Sequence, residues 1–325
     1  MIGENLKIVL TRRWPQAVEQ RMSEIAELVV NENDQPMSQA ELRAALQSAD
    51  IVCPTVTDHL HGDVLAGPVR TRLLANFGVG FNHIDLDSAA ASDIQVTNTP
   101  GVLTDATAEI ALTLMMMSAR RAGEGERMVR SGAWDGWRPT HMLSTQVTGK
   151  TLGIIGMGRI GMAFARQAHY GLGMRIVCYN RSQLAESVLR ELQAEQMALD
   201  DLLSTADFVS LHCPATPETR HLIDASALAR MQPHAHLINT ARGDVVDEAA
   251  LVDALRDGHI AGAGLDVYEA EPALSPGLSE LQSVVLLPHM GSGTRETRVA
   301  MGMRALANVQ AFIAGEPLPD QVRKI

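Results

Sequence analysis

Residues 151–173, TLGIIGMGRIGMAFARQAHYGLG, decide the fold of this chain. A short apolar run (151–155) leads directly into a glycine-rich hexapeptide (156–161), and apolar residues at helical spacing follow. A strand that passes through a tight glycine turn into a helix is the first unit of a doubly wound parallel sheet. The stretch therefore predicts an α/β fold and marks the edge of the sheet at which ligands bind.

The three glycines of the turn have separate roles. Gly156 permits the tight turn, Gly158 allows the backbone to approach a pyrophosphate, and Gly161 allows the helix to pack closely on the strand. The start of the helix adds unpaired N–H groups and a partial positive charge. A merely structural glycine turn is the alternative, but the flanking strand and helix favour a dinucleotide site. The predicted cofactor-binding residues of this turn are Gly156, Met157, Gly158, Arg159, Ile160 and Gly161.

Short apolar runs continue on both sides of this stretch. Their alternation with helical patterns predicts two doubly wound parallel-sheet domains. Upstream, strands are predicted at 6–12, 49–55, 71–78 and 94–100, with a helix at 17–30. Downstream, six strands are predicted at 150–158, 174–180, 206–214, 235–243, 260–268 and 283–291, followed by a helix at 294–315 and a tail at 316–325.

The segment 104–122, TDATAEIALTLMMMSARRA, is predicted to be a helix. Thr104 or Asp105 is a plausible N-cap, and Arg120 and Arg121 are expected in its last turn. Apolar residues cover most of its circumference, so we expect it to be buried between two bodies, either domains or subunits.

Composition limits the possible classes of protein. The chain has 325 residues, which is typical of about two domains. Its net charge of −11 argues against binding to nucleic acid or to an anionic membrane. Three scattered cysteines form no C-x-x-C pair and are expected to be reduced. No signal peptide and no apolar run long enough to cross a bilayer are recognisable, which predicts a cytoplasmic protein. No metal site is predicted.

The stretch IVCYNRS (176–182) ends the second strand after the glycine turn. In this fold a carboxylate at that point bonds the 2′-hydroxyl of NAD, and it would repel the 2′-phosphate of NADP. Here Asn180 is neutral, Arg181 can bind phosphate oxygens, and Ser182 can donate a further hydrogen bond. The stretch predicts NADP(H) as the preferred cofactor, with NAD(H) possible; a surface turn that is indifferent to the phosphate is the alternative.

Arg242, Glu271 and His289 recur at the ends of three predicted strands. Each alone has an ordinary explanation, as an ion pair, a solvated loop residue or a loop histidine. Together they fit the reduction of a 2-oxo acid. A guanidinium binds the carboxylate and oxo group and stabilises the developing oxyanion, and an imidazolium donates the proton. A neighbouring carboxylate favours the protonated form of the imidazole.

Four stretches carry a resemblance to a known family. GIIGMGRIG (153–161), INTARGDVVDEAAL (238–251), GAGLDVYEAEP (262–272) and LLPHMGSGT (286–294), in this order, resemble the D-isomer-specific 2-hydroxyacid dehydrogenases. The resemblance implies that Arg242, Glu271 and His289 are the catalytic residues. It implies that Asp266 bonds the nicotinamide carboxamide. The further cofactor-binding residues implied are Thr107, His212, Cys213, Pro214, Thr219, Thr240, Ala241, Arg242, His289 and Gly291.

The resemblance also implies the division of the chain. A flavodoxin-like substrate domain would comprise 1–99 and 291–325, and a Rossmann cofactor domain would comprise 100–290, with hinges near 98–101 and 289–292. ANFGVGFNHID (75–85) resembles the family's substrate loop, in which the N–H groups of Val79 and Gly80 would bind the carboxylate alongside Arg242 and His289. A homodimer joined through the 104–122 helix is implied as well.

Within the family, Glu271 speaks against the formate dehydrogenase branch, which has Gln there, and no regulatory domain follows the 286–294 motif. The stretch 134–161 together with Asn180–Ser182 most resembles NADPH-preferring glyoxylate and hydroxypyruvate reductases. A reductase of 2-ketogluconate or of broader 2-keto acids is the nearest alternative, and a dinucleotide-sensing binding protein is a more distant one. Trp134, Trp137 and Arg138 either line the pocket mouth or pack between subunits; both readings stay open.

Overall fold

The computed structural model describes residues 6–323. Contacts within the chain divide it into two compact units. Unit 1 contains the residues up to Leu103 together with those from Gly293 onward, and unit 2 is Thr104–Ser292. Between residues 6 and 323, no helix has both the length and the apolar character that a bilayer span requires.

Unit 1 is built on a parallel sheet of five strands in the order β2-β1-β3-β4-β5, which is the flavodoxin-like order. Its strands are β1 Lys7–Leu10, β2 Glu27–Val30, β3 Ile51–Cys53, β4 Leu73–Ala75 and β5 Gln95–Thr97. Its helices are α1 Gln16–Ser23, α2 Gln39–Ser48, α3 Gly62–Leu65, α4 Leu86–Ala91 and α12 Arg295–Ala314.

The predicted helix at 17–30 is wrong in its second half. The helix ends at Ser23, and residues 27–30, ELVV, form the edge strand β2, parallel to β1. Exposed and half-buried residues alternate along β2, the period of a strand with one face on a core. Two consecutive β-branched residues, Val29 and Val30, favour that extended conformation.

Unit 2 is built on a parallel sheet of seven strands in the order β12-β11-β10-β9-β6-β7-β8. The predicted fold class of two doubly wound parallel sheets is therefore confirmed. The six predicted strands are present, and β8 is an additional two-residue strand. The strands are β6 Thr151–Ile155, β7 Arg175–Tyr179, β8 Glu195–Gln196, β9 Phe208–Leu211, β10 His236–Asn239, β11 Gly262–Leu265 and β12 Val284–Leu286.

The helices of unit 2 cover this sheet and include a break that the sequence did not predict. They are α5 Thr104–Ala119, α6 Ala122–Arg130, α7 Arg159–Leu172, α8 Glu186–Leu192, α9 Leu199–Thr205, α10 Ala225–Arg230 and α11 Glu248–Arg256. Helix α5 ends before Arg120, and Arg121 adopts a left-handed conformation with φ of 53° ahead of α6. The prediction that Arg120 and Arg121 lie in its last turn is wrong.

The strand order places the site. Strand β6 pairs with β7 on one side and with β9 on the other, so the winding of the sheet reverses there. Ligands of such sheets bind outside the carboxyl ends of the strands at this reversal. The carboxyl ends of β10, β11 and β12 continue along the same edge on the β9 side.

Candidate active site

The glycine turn after β6 has the geometry that a dinucleotide fingerprint requires. Gly156 has a φ of 95°, and a Cβ there would lie 2.7 Å from the backbone nitrogen of Cys213. A Cβ on Gly161 would lie 2.4 Å from the carbonyl oxygen of Gly156. A Cβ on Gly158, in contrast, would meet no atom within 4 Å. Two glycines are thus needed for packing, and the third leaves open space at the start of α7.

This open space suits a pyrophosphate. Gly158 is the N-cap of the 14-residue helix α7 and supplies no capping side chain, so the first N–H groups of the helix are available to an anion. Among residues 6–323, two buried polar atoms near this edge of the sheet have no hydrogen-bond partner, Nδ1 of His212 and Oγ1 of Thr240. Burial also lowers the pKa of His212 to about 3, which keeps its ring neutral. These residues fit a nicotinamide dinucleotide.

The turn at 180–182 is joined to the glycine turn by Asn180. Its Oδ1 accepts the N–H of Met157 at 3.3 Å, and its Nδ2 donates to the carbonyl and the hydroxyl of Ser182 at 3.2 Å. Gln196 donates to the Ser182 carbonyl at 3.0 Å and accepts the N–H of Leu184 at 2.9 Å. The exposed Arg181 side chain therefore stands on a turn whose backbone is held from two sides.

Arg242 lies on a turn shaped by a buried amide. The Asn239 side chain accepts the N–H of Ala241 and donates to the carbonyl of Arg242, both at 2.9 Å. The guanidinium Nη1 of Arg242 donates to the carbonyl of Ala241 at 2.6 Å. Burial lowers the pKa of Arg242, and the charges of Glu271 and Asp244 oppose that shift. An arginine remains charged under any such shift.

His289 and Glu271 form a hydrogen-bonded pair. Nδ1 of His289 lies 2.8 Å from Oε2 of Glu271, and each side chain is about one-third exposed, at 30% and 32%. Burial acts to raise the pKa of Glu271, but the hydrogen bond and charge of His289 outweigh it, helped by the N–H of Tyr268 and by Arg242. The pKa of Glu271 is lowered overall, so the carboxylate stays ionised next to the ring.

The structure thus brings Arg242, Glu271 and His289 together. They follow β10, β11 and β12, which are neighbours in the sheet. His289 contacts Glu271 directly, and the Arg242 and Glu271 charges act on each other. A guanidinium, a carboxylate and an imidazole at one edge can bind an anion, stabilise negative charge on oxygen and donate a proton.

Asp266 is fully buried beside this group, and burial raises its pKa even though two backbone N–H groups act against the shift. Its Oδ1 accepts the N–H of Met290 and its Oδ2 that of Gly291, each at 2.7 Å. A Cβ on Gly291 would lie 3.2 Å from this carboxylate and 3.3 Å from Thr107, which is also buried. The sequence predicted a cofactor contact for Asp266, which stays a prediction; what the structure shows is that this carboxylate holds the turn after His289.

The other predicted cofactor residues lie at the same edge of unit 2. His212, Cys213 and Pro214 follow β9, and Thr240 and Ala241 follow β10. The hydroxyl of Thr219 donates to the carbonyl of Pro214 at 2.7 Å, so it braces that loop.

The predicted substrate loop lies in unit 1, where its carbonyls are held by asparagines. Asn76 donates to the carbonyls of Gly78 and Gly80 at 3.1 and 3.0 Å, and Asn98 donates to that of Val79 at 2.8 Å. Within the described part of the chain, the backbone N–H groups of Val79 and Gly80 have no acceptor. Two adjacent free amides on a fixed loop suit a carboxylate.

Several residues that shape these turns were not predicted from the sequence. Four side chains hydrogen-bond the backbone of predicted site residues, those of Asn76, Asn98, Asn239 and Gln196. Tyr268 instead donates its N–H to the side chain of Glu271. A signal existed for Asn76 and Asn239: each directly follows or ends a buried strand, where asparagine often bonds backbone groups a few residues further on. Gln196 and Tyr268 contact these turns from a separate strand or loop, and no local sequence pattern indicates those contacts.

Comparison with known proteins agrees with this site. The model of the D-isomer-specific 2-hydroxyacid dehydrogenase NAD-binding domain matches residues 112–291, which is more than half of the chain. This chain belongs to the D-isomer-specific 2-hydroxyacid dehydrogenase family. It is therefore a 2-hydroxyacid dehydrogenase that uses a nicotinamide cofactor and acts on a small acid.

Individual relatives match over nearly their whole length. The glyoxylate reductase of Aeropyrum pernix is 44% identical over 98% of this chain and 96% of its own, and that of Thermococcus litoralis is 41% identical over 98% and 97%. Among solved structures, the NADPH-dependent glyoxylate/hydroxypyruvate reductase of Sinorhizobium meliloti in complex with NADP and malonate has a TM-score of 0.87 at 32% identity, covering 99% of this chain and 100% of that one. The family resemblance inferred from the sequence motifs is confirmed.

Proposed function

We propose that this dehydrogenase reduces glyoxylate to glycolate and hydroxypyruvate to D-glycerate, with NADPH as the preferred cofactor. The observation that carries the proposal is the hydrogen bond between Nδ1 of His289 and Oε2 of Glu271, 2.8 Å long. The positive charge of Arg242 also acts on this carboxylate. Reductases of glyoxylate among the relatives support the substrate class. In this proposal unit 2 binds the cofactor.

Arg242, His289 and Glu271 have different roles in the proposed reaction. When bound, a reduced nicotinamide supplies the hydride that attacks the carbonyl carbon. Arg242 binds the substrate carboxylate and oxo group and stabilises the negative charge that develops on the oxygen. Because Nδ1 of His289 is engaged by Glu271, Nε2 is the nitrogen that gives its proton to that oxygen. Glu271 stays ionised and, through its contact with Nδ1 of His289, holds the ring in the orientation that this transfer needs.

The NADPH preference rests on the turn at 180–182. No carboxylate stands at the end of β7, and the exposed Arg181 next to Asn180 offers positive charge to a 2′-phosphate. The hydrogen bond from Met157 to Asn180 fixes this turn against the glycine turn, which would hold the pyrophosphate. The relative solved with NADP bound is consistent with this preference.

A panel of 2-oxo acids tests the proposal. The purified chain is assayed for loss of reduced-nicotinamide absorbance with glyoxylate, hydroxypyruvate, 2-ketogluconate and pyruvate, each with NADPH and with NADH. We expect the highest kcat/KM for glyoxylate or hydroxypyruvate with NADPH. A higher value for 2-ketogluconate would move the proposal to that alternative substrate, and tight NADPH binding without turnover of any acid would favour a sensor.

The Glu271→Gln variant should move the pH profile of reduction. Turnover requires the protonated imidazole, so it falls as pH rises and that proton is lost. Glu271 has a lowered pKa and is ionised across this range, so its negative charge lies 2.8 Å from Nδ1 of the ring that donates the proton. The neutral amide removes that charge, so we expect the fall in kcat/KM to occur at lower pH. Rates measured between pH 5 and pH 9 would check this.

Glu269→Gln is the matched control for this variant. Glu269 also forms a carboxylate–histidine pair, with His221 at 2.7 Å, and lies two residues away in the same loop. Its replacement should leave the position of the high-pH fall unchanged. An identical profile for Glu271→Gln and the unaltered chain would mean that Glu271 does not act on the proton donor.

We further propose that two copies of the chain associate. The segment that follows α5 exposes large apolar side chains, among them Val129 at 60%, Trp137 at 81% and Leu143 at 68%. Apolar surface concentrated in one segment is typical of an interaction site, and this favours the subunit-packing reading of Trp134 and Trp137. Light scattering should give twice the chain mass of 35.0 kDa, and a value for a single chain would contradict the proposal.

A further inference from the structure

Tyr268 lies in the loop between β11 and Glu271, and its side chain contacts the segment that leads from β12 to His289. Its hydroxyl donates to the carbonyl of Leu287 at 2.7 Å, two residues before His289, and more weakly to that of Leu265 at 3.4 Å. The side chain is half-buried, and burial raises the pKa of its phenol, so the hydroxyl remains a donor at any assay pH. The end of β12 is therefore tied by a side chain to the loop that follows β11.

The backbone of the same residue holds the partner of His289. The N–H of Tyr268 donates to Oε1 of Glu271 at 3.0 Å, while Oε2 of that carboxylate meets Nδ1 of His289 at 2.8 Å. A single residue thus touches the carboxylate through its N–H and the strand that leads to the imidazole through its hydroxyl. Each contact is therefore a restraint on the separation of the Glu271 carboxylate and the His289 imidazole.

The turn that carries Arg242 also rests on Tyr268. A Cβ on Gly243 would lie 1.9 Å from the carbonyl carbon of Tyr268, so the two backbones are in direct contact. Only glycine fits at that position. Gly243, the neighbour of Arg242, therefore packs against Tyr268, whose N–H bonds Glu271.

His289 needs such support because its own backbone is unfavourable. It has a φ of 50°, the left-handed region that residues other than glycine seldom adopt. The carbonyl of Leu287 is held by Tyr268 on one side, and the N–H groups of Met290 and Gly291 are held by Asp266 on the other. Within residues 6–323, loss of the first contact would leave Leu287 held only by its own N–H, which donates to the carbonyl of Leu265 at 2.8 Å.

We propose that Tyr268 is a positioning residue that keeps the Glu271 carboxylate and the His289 imidazole at the separation needed for proton donation. This inference rests on the proposed function, in which that pair supplies the proton. It concerns the hydroxyl group alone, because the N–H contact to Glu271 is available to any residue but proline at this position.

Tyr268→Phe tests the proposal because it removes the hydroxyl and keeps the ring and the N–H. A hydrogen bond of this kind contributes modestly, so we expect kcat to fall by about five-fold. The KM for glyoxylate should change little, since no substrate contact is lost. The high-pH fall in kcat/KM should shift in the same direction as in Glu271→Gln.

Tyr170→Phe is the matched control. Its hydroxyl also donates to a backbone carbonyl, that of Glu191 at 2.8 Å, but it lies on α7 away from the three catalytic turns. This variant should leave both kcat and the pH profile unchanged. If Tyr268→Phe behaved like it, with both readouts unaltered, Tyr268 would have no positioning role.

Two further measurements separate this proposal from others. An NMR titration of the His289 ring in Tyr268→Phe and in the unaltered chain needs no turnover: a shifted titration supports positioning even if no 2-oxo acid is reduced, and an unshifted one opposes it. If Tyr268→Phe does not fold, Tyr268→Gln retains a donor that Tyr268→Leu lacks. Higher turnover in the Gln variant would support the proposal, and equal turnover in the two would overturn it.

Discussion

Replacing His289 with Asn is expected to lower kcat for glyoxylate reduction by about 10²- to 10⁴-fold, the usual contribution of a positioned general acid. Asn is chosen because it tolerates the left-handed backbone of this position, where φ is 50°, better than most residues. It can also accept or donate a hydrogen bond near Glu271, so the turn should keep its shape. Steady-state rates at saturating NADPH, with circular dichroism as a check on folding, measure the effect.

The control for this variant is His234→Asn. His234 is also paired with a carboxylate, Asp207 at 2.7 Å, but it precedes β10 and so lies at the opposite edge of the sheet. Its replacement should leave kcat within about two-fold of the unaltered chain, as expected for a surface pair. A His289→Asn variant that kept most of its kcat would rule out His289 as the proton donor.

Combining Asn180→Asp with Arg181→Ala is expected to reverse the cofactor preference. The new carboxylate would repel the 2′-phosphate of NADPH and accept a hydrogen bond from the 2′-hydroxyl of NADH. Loss of a charged hydrogen bond alone costs about 1.5–3 kcal/mol, which corresponds to roughly 10- to 150-fold in kcat/KM for NADPH. The Asp side chain can still accept the N–H of Met157, as Asn180 does, so the glycine turn should be undisturbed.

Arg175→Ala controls for the loss of positive charge. Arg175 is exposed at the start of β7, where it pairs with Glu195, and the proposed phosphate site is at the end of that strand. It should leave the ratio of kcat/KM for NADPH and NADH as it is. An equally unchanged ratio in the double variant would show that the 180–182 turn does not select the cofactor.

The strands were predicted correctly from the sequence where they are buried on both faces or lead into a glycine turn. The strand before GMGRIG is almost wholly buried, and its glycines permit few alternatives. Prediction failed at one edge of each sheet, at β2 and β8, whereas the edge strands β5 and β12 were predicted. ELVV at 27–30 is a half-exposed edge strand that was predicted as helix, and β8 has only two residues.

The residues of the candidate site also fall into those that the sequence predicted and those that it did not. Residues that carry the chemistry, such as Arg242 and His289, follow strands in recognisable motifs and were placed from sequence. Some residues that shape their turns are local, as Asn239 is for Arg242, but others act over longer separations, as when Gln196 holds the Ser182 carbonyl or Tyr268 holds that of Leu287. The contacts of these others depend on the order of strands in the folded sheet, which no local pattern contains.

The two units reach completion at different moments of synthesis. Unit 2 is a single uninterrupted segment and has its full sequence once Ser292 has been made. The core of unit 1 includes Met301, Ala305, Leu306 and Val309 of α12, which pack with residues of β1 and β3. A nascent chain that stops before α12 would leave that apolar surface open to water. We therefore expect unit 2 to be able to fold on the ribosome earlier than unit 1, whose core is complete only once α12 has been made.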